Sequence, residues 1–172
     1  MDSQEFLQAY SPSNQYVYAL HEQRCHRGKA PTIMQCVATQ GIDVTIQAIN
    51  ALVEDFIKFT PARSRMSVDQ RKQLSYVIIT QFKTLRITQL ILFFVKAKAG
   101  YFGKFYTQIE PMDITIALRQ WQEVCDKELA EYYYERARTM HEDDLELTRE
   151  YEDELRDKYE TVLINSQFVL QL

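Results

Sequence analysis

From residue 114 to residue 162 the chain contains neither glycine nor proline, and strong helix formers dominate the run. A β-rich chain would need turn residues every ten positions or so, yet all 172 residues hold only 4 glycines and 4 prolines. The expected fold is therefore all-α. Periodicity divides it into a compact head of about five helices over residues 1–121 and a helical extension over residues 122–172, with one long helix running from Ile114 to about Val162 across the boundary. At about 1.5 Å per residue a helix of that length would reach roughly 70 Å. Its far half would project, fold back near residues 140–144, or pair with another chain.

The head reads as follows. The first dozen residues look like a loose lead-in. Ser13 or Asn14 caps a first helix to about His26, with Tyr16, Val17 and Leu20 as its apolar face and Gly28 as its stop. Pro31 and Thr32 open a short helix that Gly41 ends. Asp43 caps a core helix carrying Ile46, Ile49, Leu52, Val53 and Phe56 and stopping at Thr60, before Pro61. Ser67 caps the next, with Leu74, Val77, Ile78, Phe82 and Leu85 as its stripe. Thr88 caps one running to about Lys98, apolar nearly all round and so central to the core. Asp113 caps the long helix, whose stripe of Ile114, Leu118, Trp121 and Cys125 would pack on the head. Residues 102–107 are the one stretch that reads as a short extended piece.

Charge is divided along the same line. Residues 1–121 hold 14 Lys and Arg against 9 Asp and Glu, whereas residues 122–172 hold 6 against 15, so the head is basic and the extension strongly acidic. The two parts are expected to meet different partners, or each other. No apolar run approaches the 18 or so residues of a membrane span, and the N-terminus lacks the blocks of a signal peptide. These features predict a cytoplasmic protein with no membrane partner, and Cys25, Cys36 and Cys125 as free thiols.

Residues 93–111 depart most from an ordinary helical composition. Lys96, Lys98 and Lys104 surround Gly100 and Gly103, with Tyr101, Phe102, Phe105 and Tyr106 interleaved. A P-loop is excluded, because Lys98 stands where its first glycine is required and Phe105 follows Lys104 in place of Ser or Thr. What remains is an aromatic and basic turn of the kind that stacks bases and neutralises phosphates. The candidate nucleic-acid set is Lys96, Lys98, Gly100, Tyr101, Phe102, Gly103, Lys104 and Tyr106, with Arg63, Arg65, Arg71 and Lys72 as a second cluster. Arg24, Arg27 and Lys29 form a third. The alternative is that Gly100 is a helix stop and the aromatic residues pack back onto the core. On the extension, Leu147, Tyr151, Leu155 and Tyr159 recur every fourth residue beside Glu142, Asp143 and Asp144, a candidate protein-binding face.

Catalytic and metal chemistry find little support. His21 and Cys25 share a helical face and Cys36 follows, yet there is no Cys-x-x-Cys, so small buried cysteines explain the set better than zinc does. Cys25 and His26 are adjacent in sequence, which does not make a nucleophile and base. No catalytic residue, metal, cofactor or small-molecule substrate is expected.

From Lys29, Ala30, Pro31 and Thr32 to Arg119, and most specifically across the Lys-x-Gly-x-x-Gly-x-Phe-Tyr stretch from Lys98 to Tyr106, the chain resembles a family of small helical proteins. They are carried by phages and mobile elements of gut anaerobes of the Bacteroides group. Thr107 and Glu110 depart from the family's pattern. The resemblance implies a phage or mobile-element setting in a bacterial host cell, and a protein that serves replication or counters a host system. Two functions follow. One is a non-enzymatic adaptor that touches nucleic acid or a nucleoprotein, with a replication-accessory or helicase-loader-like role, and that recruits a protein or self-associates through its acidic helix. The other is a protein-binding module, an inhibitor of a host system or a virion component, working through the acidic helix.

Overall fold

The computed structural model describes residues 1–60, 66–103 and 109–139. Among these residues the fold is all-α, in the element order α1 (Ser3–Ala9), a 3₁₀ turn (Pro12–Asn14), α2 (Gln15–Ala19), α3 (Glu22–Arg27), α4 (Ile33–Gln40), α5 (Ile42–Phe59), α6 (Val68–Gln81), α7 (Ile87–Lys98) and α8 (Pro111–Thr139). The chain divides into two compact units, Met1–Glu128 and Leu129–Leu172. The far part of the expected long helix, with Glu142, Asp143, Asp144, Leu147, Tyr151, Leu155 and Tyr159, lies outside the described residues, as do Arg63, Arg65, Lys104 and Tyr106.

The core of the first unit is built on α7. Nine of its residues are buried, from Ile87 to Ala97, on every side of the helix, as its all-round apolar sequence requires. Aromatic rings extend the packing outward: Phe94 lies 5.7 Å from Phe56 of α5, and Phe93 lies 4.8 Å from Phe102 in the turn after α7. On α8 the expected stripe of Ile114, Leu118, Trp121 and Cys125 is buried throughout. The Trp121 indole Nε1 donates to the Gln89 carbonyl at 2.9 Å, which fixes the stripe against α7.

Local signals set most boundaries. Thr32 and Ser67 accept from the third helical amide of α4 and α6, and Gln35 and Gln70 reach back to close two capping boxes. Expected starts differ at three helices. Thr88 is buried inside α7, where its hydroxyl donates to the Cys25 carbonyl at 3.2 Å, and the helix opens two residues earlier at Arg86, whose backbone amide donates to Gln89 Oε1 at 2.8 Å. Asp43 sits in the first turn of α5, behind Gly41, and Asp113 in the first turn of α8, behind Pro111. The entrances to α4 and α7 clasp each other: Ile33 donates to the Leu85 carbonyl at 2.8 Å and Ile87 to that of Pro31 at 2.9 Å.

The N-terminal region corrects the sequence reading most. The supposed lead-in is a helix, because Asp2 and Glu5 form a capping box and Phe6 and Tyr10, one turn apart, enter the core. The supposed single helix to His26 is broken at His21, whose backbone leaves the helical region (φ −122, ψ 50), into α2 and α3. The buried face of α2 is the opposite of the expected one. Gln15 is the buried residue of α2, while Tyr16, Val17 and Leu20 are 55%, 60% and 80% exposed. Gly28 does end α3, in extended backbone, and it must be glycine because a Cβ there would meet the Arg24 carbonyl oxygen at 2.3 Å.

Candidate interaction surfaces of the head

Lys96 and Lys98 stand two residues apart on α7, and at 100° per residue their side chains leave the helix nearly opposite each other. Each meets a different element. The Lys98 side chain is 5% exposed and its ammonium is paired with the Asp55 carboxylate of α5. It also donates to Gln15 Oε1 at 2.8 Å, and Gln15 Nε2 donates to Asp55 Oδ2 at 3.0 Å, which closes a triangle of three side chains. The rings of Tyr16 and Phe59 lie 5.9 and 5.6 Å from the same ammonium and cover it.

Lys96 turns to the other side. Its ammonium is 2.7 Å from Glu22 Oε1 of α3 and lies 5.4 Å from the Tyr101 ring and 5.7 Å from the Trp121 ring. Its side chain remains 24% exposed. Under this pair sits His26, buried, with Nε2 3.9 Å from the same Glu22 oxygen and its ring 5.5 Å from that of Trp121. Burial is the main influence on the imidazole and lowers its pKa; Glu22 and Glu128 oppose the shift, and Lys96 and Arg27 add to it.

The turn that follows α7 is shaped by glycine. Gly100 and Gly103 take φ of 82° and 91°, the left-handed region. Gly100 donates to the Ala97 carbonyl and Tyr101 to that of Lys96, so the turn ends the helix in the manner of a C-terminal cap. Phe102 packs back against Phe93 and Trp121, whereas Tyr101 is exposed. Of the candidate nucleic-acid residues, therefore, Lys96 and Lys98 are occupied internally and Gly100, Phe102 and Gly103 shape the turn. In the second cluster Arg71 is mostly buried, 3.6 Å from Glu54, and Lys72 is exposed. Among the described members, Lys96, Lys98 and Arg71 are each paired with a carboxylate, those of Glu22, Asp55 and Glu54.

Val17 and Leu20 have no such internal role. With Tyr16 on one side and Phe59 of α5, 57% exposed, sharing its position over Lys98, they form an apolar surface. Two lysines beside it have carboxylate partners, Lys98 with Asp55 and Lys58 with Glu54 Oε1 at 3.0 Å, the oxygen that Arg71 also approaches. The Lys58 pair holds the Glu54 carboxyl below its ordinary value.

The chain matches a family of unknown function, DUF6633, over residues 65–158, more than half of its length. The chain belongs to this family. DUF6633 thus covers α6, α7, the glycine turn and α8, while Gln15, Glu22 and Asp55, which neutralise the two α7 lysines, lie in the part of the chain before the match. No curated protein and no solved structure matches the chain.

The remaining chemical candidates have structural occupations. Cys25, Cys36 and Cys125 are free and buried, with burial pushing the Cys25 thiol up to about 11, Cys36 up to about 12 and Cys125 higher still. Thiols held protonated in this way are poor nucleophiles. His21 is exposed at the start of α3, and Cys25 donates to the Tyr18 carbonyl at 3.3 Å. Among the described residues no three His, Cys, Asp or Glu side chains stand together as metal ligands, and no helix is long and apolar enough to cross a membrane.

Proposed function

We propose that this DUF6633 chain is a non-enzymatic protein-binding module whose head presents the α2 face, Tyr16, Val17 and Leu20 with Phe59 beside it, to an apolar-sided helix of another protein. The observation that carries the reading is the reversal of roles in the head. Lys96 and Lys98, two of the lysines that would hold a phosphate backbone, are paired with carboxylates of the fold, and the apolar residues of α2 that would fill a core are exposed. Because the face itself is apolar and Lys98 and Lys58 beside it already have carboxylate partners, affinity would come from apolar burial and would depend little on salt. A nucleic-acid contact would lose affinity steeply as salt rises, since it rests on displaced counterions. The phage or mobile-element setting implied by the resemblance suits such a module, as an adaptor or an inhibitor of a host system.

The test has two arms on the full chain. Fluorescence anisotropy with labelled single- and double-stranded oligonucleotides, at low and moderate salt, is expected to show no binding. Affinity capture from a host lysate is expected to retain a protein through a high-salt wash, and to lose it with the Val17→Ser/Leu20→Ser variant. Salt-sensitive oligonucleotide binding that a Lys72→Ala variant weakens would return the protein to nucleic acid. Capture indifferent to the two serines would remove the α2 face from the account.

A further inference from the structure

His26 has a property that neither ion pairing nor core packing requires. It is 3% exposed, and its Nδ1 is buried with no hydrogen-bond partner. Its Nε2 faces Glu22 Oε1, the oxygen that holds Lys96. The charged and titratable groups facing it are Glu22 and Arg27 on its own helix, Lys96 from α7 and Glu128 from α8. With the imidazole neutral, Glu22 and Lys96 balance. A proton taken up from solvent makes both ring nitrogens donors, and two cations then share one carboxylate.

Which cation yields follows from exposure. His26 is enclosed and cannot reach water, whereas Lys96, at 24% exposure on a flexible stem, can. Lys96 is also what links α3 to the glycine turn, since its ammonium lies against both Tyr101 and Trp121, and the Tyr101 amide closes onto its carbonyl. We propose that His26 is an acid-operated release for this latch: on protonation the imidazolium takes Glu22, Lys96 withdraws to solvent from between Tyr101 and Trp121, and the turn at residues 99–103 loosens.

Trp121 is the chain's one tryptophan, and it lies against both His26 and Lys96, so its emission reports the event directly. Titrating the full chain from neutral pH downward should quench Trp121 reversibly in a single-proton step centred below the ordinary histidine value of 6.5, with helical circular dichroism unchanged. Amide exchange at Tyr101, corrected for its intrinsic pH dependence, should quicken through the same step. His26→Gln should abolish both responses. Lys96→Met should move the quenching step to higher pH, because a cation opposing protonation is gone, and should leave Tyr101 exchange blind to pH. If His26→Gln does not fold, the Lys96→Met pair of readings decides alone. No quenching step in the wild type, a step that survives His26→Gln, or Tyr101 exchange that ignores the titration would each overturn the latch.

Discussion

The C-terminal end of α7 and the face of α2 make an instructive pair. On sequence the first is a contact site and the second a piece of core. In the fold the lysines of α7 are paired with carboxylates, Lys98 nearly buried, and the apolar residues of α2 point outward. The two are coupled through one side chain. Lys98 needs a counter-ion and a hydrogen-bonding neighbour inside the molecule, Gln15 supplies the second, and seating Gln15 inward turns Tyr16 and Val17 outward on the same short helix. A buried cation has dictated which face of α2 is free.

The sharpest way to break the comparison is to remove that cation's partner. Asp55→Ala leaves the Lys98 ammonium nearly buried and uncompensated, and should cost about 3 kcal/mol in urea unfolding. A Lys98→Met/Asp55→Leu double variant should recover only part of the loss, since it leaves no unpaired charge but strips the buried Gln15 amide of both its partners. A single Asp55→Ala variant as stable as the wild type would mean that the pair does not fix α2. The same change on the far side of α7 should weigh less: Lys96 keeps one side toward water, so Lys96→Met should alter stability by about 1 kcal/mol or less.

Gly100→Ala probes the turn that follows the two lysines. Nothing lies within 4 Å of the Cβ it would add, so the penalty is the left-handed backbone alone. It should be about 1 kcal/mol in the same unfolding measurement. A larger loss would show that the turn carries more of the fold than its open surroundings suggest.

The pattern of success and failure in reading the chain follows from range. Helices with a capping residue, an apolar stripe and a stop were legible: the stripe of α8, the all-round core helix α7 and the capped starts of α4 and α6 all depend on residues within a few positions of each other. The break at His21 carries no proline or glycine to announce it. The helix α1 is only seven residues long, and its two core residues, Phe6 and Tyr10, are too few to set a periodic stripe. At the candidate site one local signal bears on the outcome. Lys96 and Lys98 are two apart on a helix, a spacing that forbids a shared patch. Their partners Glu22 and Asp55 are dozens of residues away, and no local pattern brings them close.

The smallest expected effect is the one that separates a binding face from a core. Replacing Val17 and Leu20 with serine should change unfolding free energy by no more than about 0.5 kcal/mol, because side chains already in water lose no burial. Trimming the buried Leu118 of α8 to alanine should cost about 3 kcal/mol by comparison. Near-zero stability change combined with loss of the captured partner would mark α2 as surface kept for binding. If the serines destabilise the protein as Leu118→Ala does, Val17 and Leu20 are packed in solution against something the free head does not show, and the α2 face belongs to the fold.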